Sequence, residues 1–170
     1  MSKTDKRAVF AGSFDPFTKG HLDIVERAGA LFDELWILVA KNNSKKNLFT
    51  PEVRKGFIEA SVKNLHKEIQ KKIHVDFFEG LTVDYMKEKK ASYLVRGIRS
   101  AADIPFEQTV AWNNRALYSN AETVFLLSHP EHLAICSSVV RELIANGTSV
   151  ENFVPEGMFS LLKLELEKIE

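Results

Sequence analysis

Leu35-Trp36-Ile37-Leu38-Val39-Ala40 is apolar at six consecutive positions. A strand turns successive side chains to opposite faces, so a run with no polar member is covered on both. Strands at the centre of a parallel sheet between helices read this way. Upstream, Ala8-Val9-Phe10-Ala11 is a second buried run, halted by Gly12. Downstream, residues 73–78, Tyr93-Leu94-Val95 and Thr123-Val124-Phe125-Leu126-Leu127 supply three more. Amphipathic stretches separate them. Residues 21–32 put Leu22, Val25, Ala28 and Phe32 on one face. Thr50-Pro51 starts the next helix with a capping hydroxyl and a proline, and Val53, Phe57, Ile58 and Ala60 give it an apolar face. Further helices are predicted over 82–90 and 105–118, from Ser137 or Ser138 through Ala145, and over 159–169. Asn146-Gly147 closes the third of these. Five apolar strands alternating with helices predict a parallel α/β sheet with right-handed crossovers.

The chain has 170 residues, which suits one domain spanning 1–170. Hydrophobic residues make up 45% and charged residues 27%, so disorder and low-complexity architectures are excluded. Lysine plus arginine number 23 and aspartate plus glutamate 23, so no global charge draws the chain to nucleic acid or membrane. The single cysteine, Cys136, rules out an intrachain disulfide framework and a cysteine-rich zinc site. No apolar string approaches the roughly 20 residues of a membrane helix. The start, MSKTDKRAVFAGSF, has too short an apolar stretch for a signal peptide. A reducing, cytoplasmic location is expected.

Ligands of open parallel sheets bind beyond the carboxyl ends of the strands. There lie Gly12-Ser13-Phe14, the Lys45-Lys46 loop, Gly80-Leu81-Thr82, Arg96-Gly97-Ile98-Arg99 and residues 129–138. Gly12 lets a ligand approach the backbone. Gly20-His21 opens a helix whose free N–H groups favour phosphate, and His21 adds a directional donor. Neither the phosphate loop with Gly-Lys-Ser/Thr nor G-x-G-x-x-G is present. Arg96 and Arg99 can clamp phosphate oxygens. Other residues have plainer readings. Asp15 fixes the turn, and His66 and His74 are structural or surface groups. Either His129 or His132 lines a site or loop surface. Trp112 belongs to core, pocket or a subunit contact.

Thr18-Lys19-Gly20-His21 resembles the T/H-x-G-H signature of the nucleotidylyltransferase superfamily. Gly12-Ser13-Phe14-Asp15-Pro16, Ser44-Lys45-Lys46, Phe49-Thr50, Arg96-Gly97-Ile98-Arg99, Glu107 and Ser137-Ser138 with Arg141-Glu142 are similar, in order and spacing, to the phosphopantetheine adenylyltransferase branch. That resemblance implies a Rossmann-like, doubly wound five-stranded parallel sheet with helices on both faces. It implies adenylyl transfer from ATP to 4'-phosphopantetheine, giving dephospho-coenzyme A and pyrophosphate in coenzyme A biosynthesis. It implies a homohexamer, with coenzyme A as a further ligand and no nucleic-acid or membrane partner.

Residue roles follow from the same resemblance. His21, Lys45 and Arg99 would carry the chemistry. Ser13, Phe14, His21, Gly97, Ile98, Arg99 and Glu107 would bind ATP, together with the loop His132-Leu133-Ala134-Ile135-Cys136-Ser137-Ser138. Ser13, Lys45, Thr82, Arg96, Val110 and Asn114 would hold the acceptor. No carboxylate cage for a metal is visible, so magnesium would arrive mainly on the ATP phosphates. Two positions depart from the family pattern. Cys136 replaces a hydroxyl with a weak donor. Thr82 stands where an apolar residue is usual. The competing readings are another small-molecule nucleotidylyltransferase and a non-catalytic nucleotide or coenzyme A sensor.

Overall fold

The computed structural model describes residues 5–40 and 46–168. Five parallel strands form one sheet: β1 (Arg7–Gly12), β2 (Glu34–Ala40), β3 (Ile73–Phe78), β4 (Tyr93–Ile98) and β5 (Glu122–Leu127). Their order is β3-β2-β1-β4-β5. The helices are α1 (Lys19–Leu31), α2 (Pro51–Val62), α3 (Lys67–Gln70), α4 (Thr82–Glu88), α5 (Ile104–Leu117), α6 (Ser137–Ala145) and α7 (Glu156–Leu166). The expected doubly wound α/β sheet is therefore present.

Alternation along the strands sorts the core into two layers. Ala8 and Phe10 of β1, with Leu35, Ile37 and Val39 of β2, join one buried cluster. That cluster takes in Ile24 and Val25 of α1, Phe57 and Ile58 of α2, Val140 of α6 and Met158 and Leu162 of α7. Val9, Ala11, Leu38 and Leu94 face the other way, onto Tyr85 and Met86 of α4. β1 and β2 at the centre of the sheet thus bury both their faces, which is why their apolar runs lack a polar alternate, whereas β5 at the sheet's edge leaves Phe125 and Leu127 exposed.

Several boundaries differ from the sequence reading. β4 runs on through Arg96-Gly97 to Ile98, because these residues pair with Phe125, Leu126 and Leu127 of β5. α7 begins three residues earlier than predicted, directly after Pro155, and the two final residues of the chain lie outside the described residues. The N-cap of α6 is Cys136, not Ser137 or Ser138, and no side chain caps it. Ser137 Oγ donates instead to the Pro16 carbonyl at 2.9 Å. Thr50 caps α2 as expected, accepting from the Val53 N–H at 3.4 Å.

Candidate active site

β1 and β4 are adjacent in the sheet but reached by chain running in opposite directions. A crevice opens where strand order reverses in this way. Here it is a cavity of about 560 Å³ beyond the carboxyl ends of β1 and β4. Gly12, Ser13 and Phe14 enter it from β1, and Arg96, Gly97 and Arg99 from β4. His21 comes from the first turn of α1, and Ser137 and Ser138 from that of α6. A second cavity of similar size lies away from these strands. Among the described residues its walls are Leu48, Ile144, Phe159, Leu162 and others, with Lys163 as the only charged one, a lining unsuited to several phosphates.

The turn after β1 is built from the inside. Phe14 has φ 48°, a conformation disfavoured for a bulky residue. Its ring is buried and meets Phe10, Phe17 and His21 edge-on, with centroids at 5.2, 5.6 and 5.1 Å. A side chain on Gly12 would meet that ring at 2.9 Å, so the glycine makes room for Phe14 as well as for a ligand. Asp15 accepts from the N–H groups of Leu48 at 2.8 Å and Phe49 at 3.0 Å, tying the turn to the chain entering α2. This is the turn-fixing role read from the sequence. Arg54 is fully buried and donates to the carbonyls of Ser13 and Thr50. Burial lowers its pKa, with Asp15 and then Glu52 opposing the shift.

His21 is the third residue of α1, and its imidazole completes a capping box. Its Nδ1 accepts from the Thr18 backbone N–H at 3.1 Å. An accepting Nδ1 leaves the ring proton on Nε2. The ring is half-buried, and its pKa falls from 6.5 to about 4 through burial first, then the charges of Arg99 and Arg96. At neutral pH it is an uncharged N–H donor.

Arg96 donates from Nε and Nη2 to the two oxygens of Glu107, at 2.7 and 2.6 Å, and from Nη1 to the Ala11 carbonyl at 2.7 Å. Arg99 follows at the strand end. Its backbone N–H donates to Asp103 Oδ2 at 2.8 Å, and that bond leads the causes holding the Asp103 carboxyl below its usual range. Burial alone would raise the Cys136 thiol. Hydrogen bonds from Ser138 and the Val139 N–H, with the charge of Arg99, outweigh it and lower the pKa.

Most residues singled out in the sequence converge on this cavity. Ser13, Phe14, His21, Arg96, Gly97, Arg99, Glu107, His132, Ile135, Cys136, Ser137 and Ser138 all line it. Ile98 does not: its side chain is buried, and its carbonyl accepts from the Ser128 N–H at 2.8 Å. Leu133 and Ala134 are exposed. Lys45 lies outside the described residues, although Ala40, the last residue of β2, lines the cavity. Thr82, Val110 and Asn114 are half-buried and outside the cavity wall. Val110 and Asn114 share a face of α5 with Glu107, at helical spacing. His66 caps α3, and His74 stacks on Trp36 at 4.3 Å, so both are structural.

Sequence reasoning assigned no role to Arg54 and saw Thr18 and Arg141 only as parts of motifs. Arg54 could have been suspected from its place between Val53 and Phe57 on an apolar face. Arg141 lines the cavity and donates to the Asp15 carbonyl, which nothing in the spacing foretells.

Comparison with known proteins agrees with this geometry. The cytidylyltransferase-like family matches residues 9–143. A phosphopantetheine adenylyltransferase of Shouchella clausii is 41% identical over 158 residues, covering 93% of this chain and 96% of that protein. One of Leptospira biflexa serovar Patoc is 44% identical over 149 residues, covering 88% and 90%. The structure of Plasmodium falciparum nicotinic acid mononucleotide adenylyltransferase complexed with NaAD superposes with a TM-score of 0.73 over 98% of this chain and 99% of that one, at 16% identity, a likeness of fold. The chain belongs to the phosphopantetheine adenylyltransferases, within the cytidylyltransferase-like family.

Proposed function

We propose that this member of the family transfers the adenylyl group of ATP to 4'-phosphopantetheine, giving dephospho-coenzyme A and pyrophosphate. The carrying observation is the cationic cleft at the reversal of strand order, where His21, Arg96 and Arg99 come together.

The acceptor is a phosphate, anionic near neutral pH, so no strong general base is needed. One of its oxygens forms a bond to the α-phosphorus of ATP while the bond from that phosphorus to the pyrophosphate oxygen breaks in line. The protein's task is alignment and stabilisation of charge. Neutral His21 donates Nε2–H to the phosphate oxygen that gains charge. Arg99 sits across the cleft for the β- and γ-phosphates, with the first N–H groups of α6 and the Ser137-Ser138 hydroxyls beside it. Phe14, Gly97 and the 132–138 loop enclose the nucleoside. Arg96 receives the acceptor phosphate, and the pantetheine arm runs along α5 past Val110 and Asn114 toward Thr82. For Lys45, which lies outside the described residues, the reading keeps the phosphate contact that the family resemblance implies.

Glu107 is the only carboxylate in the cavity wall among the described residues, and both its oxygens are engaged by Arg96. This donor set fits magnesium carried in on the ATP phosphates, with no side-chain cage of its own. When bound, the ion would neutralise phosphate charge beside Arg99.

Self-association belongs to the same reading, as a homohexamer. α5 buries only Glu107. Its Phe106 and Trp112, with Phe125 and Leu127 of β5, present apolar surface that further copies of the chain would cover. The lone free cysteine fits a cytoplasmic enzyme, and no described helix is long and apolar enough to cross a membrane. Mass spectrometry of the product made from ATP and 4'-phosphopantetheine tests the reaction. Dephospho-coenzyme A is expected, and ATP binding without product would leave a sensor.

A further inference from the structure

Glu107 is 7% exposed, and a carboxylate so buried needs a partner. The partner is Arg96, held fork to fork through Nε and Nη2. A guanidinium has five N–H groups. Two are spent on Glu107 and one on the Ala11 carbonyl, leaving two at the cavity wall. We propose that Glu107 is a positioning residue: it fixes the plane of Arg96 so that these two N–H groups meet the acceptor phosphate, and it serves the acceptor rather than the nucleotide. The assignment rests on the reaction proposed above and differs from the nucleotide contact that family resemblance implies.

The physical reason is preorganisation. A free arginine side chain has several rotatable bonds whose freedom is lost on binding. An arginine already clamped by Glu107 and Ala11 loses little of it when phosphate arrives. The carboxylate also has an opposing effect, because it offsets the charge that attracts the phosphate. The two effects act on acceptor affinity with opposite signs, so removing the carboxylate reveals which is larger. Glutamine has the size of glutamate, but its amide N–H would face an arginine N–H. One of the two bonds is lost and the guanidinium turns.

Steady-state kinetics with each substrate varied in turn tests this on folded protein, checked by melting. In Glu107→Gln, the KM for 4'-phosphopantetheine is expected to rise about tenfold, with the KM for ATP within about twofold of wild type. In an Arg96→Ala background the same change should raise the acceptor KM no further, since Glu107 acts through Arg96. Glu107→Asp, which keeps a shortened carboxylate, should fall between, and it reads the same split if the glutamine variant does not fold. A raised ATP KM with an unchanged acceptor KM would make Glu107 a nucleotide contact and overturn the proposal. A lowered acceptor KM would leave only the charge effect and overturn it too. Wild-type protein that fails to use 4'-phosphopantetheine would instead overturn the reaction itself.

Discussion

The backbone N–H of Thr18 donates to Nδ1 of His21 at 3.1 Å, while the hydroxyl of Thr18 accepts from the backbone N–H of His21 at 3.4 Å. A capping box ordinarily uses a glutamate or glutamine in the place His21 takes. With an imidazole there, one exchange of hydrogen bonds starts the helix, selects the tautomer and directs Nε2–H into the cleft. Local helix chemistry thereby fixes the protonation of the group to which we assign phosphate chemistry.

Replacing His21 with asparagine separates the two roles. Asparagine can still accept from Thr18, but it has no donor at the Nε2 position. Turnover of His21→Asn should fall about 10²–10³-fold, while its melting temperature stays near wild type. Turnover within a few-fold of wild type would remove His21 from the reaction.

The depressed His21 pKa also links folding to pH. The unfolded chain takes up a proton near 6.5, whereas the folded protein resists until about 4. The contribution of neutral His21 is therefore complete above pH 6.5 and is lost as pH falls through this window to 4. Its size is up to about 3 kcal/mol. Urea unfolding midpoints at pH 7.5 and 4.5 should differ more for wild type than for His21→Asn. Equal differences would contradict the assignment.

Arg54 supports the same turn from beneath. Arg54→Met would leave the partly buried Ser13 carbonyl without its donor, at a cost of about 2 kcal/mol in unfolding free energy. Activity should drop as well, because Ser13 and Phe14 lose their support. A variant as stable as wild type would show that water replaces the guanidinium.

Trp112 is 64% exposed and Leu127 70%. Glutamate at either position should lower the particle mass seen by light scattering and leave the circular dichroism spectrum intact. A wild-type protein that runs as a single 19.3 kDa chain would contradict the assembly.

The sheet was legible in the sequence because its physics is local. Leu35 to Ala40 has no polar residue, and only a strand covered on both faces tolerates that. Turns that feed the cleft were legible through Gly12 and the residues before His21. Contacts between distant segments were not. Arg54 looks like any helix arginine until Ser13 is found above it. Glu107 reads from the sequence as a ligand contact, and its pairing through both oxygens with Arg96, 11 residues earlier, is visible only in the structure. α3 escaped notice because four residues give no periodicity. The N-cap of α6 falls on Cys136, one residue before Ser137, whose hydroxyl is turned to the Pro16 carbonyl, a contact 121 residues away that no local pattern shows.

The most direct test of the whole account is magnesium-dependent pyrophosphate release from ATP, with 4'-phosphopantetheine, nicotinate mononucleotide and glycerol phosphate offered as separate acceptors. The cleft as read here predicts rapid release with the first and background release with the other two. Turnover with either of the others, and none with 4'-phosphopantetheine, would contradict it.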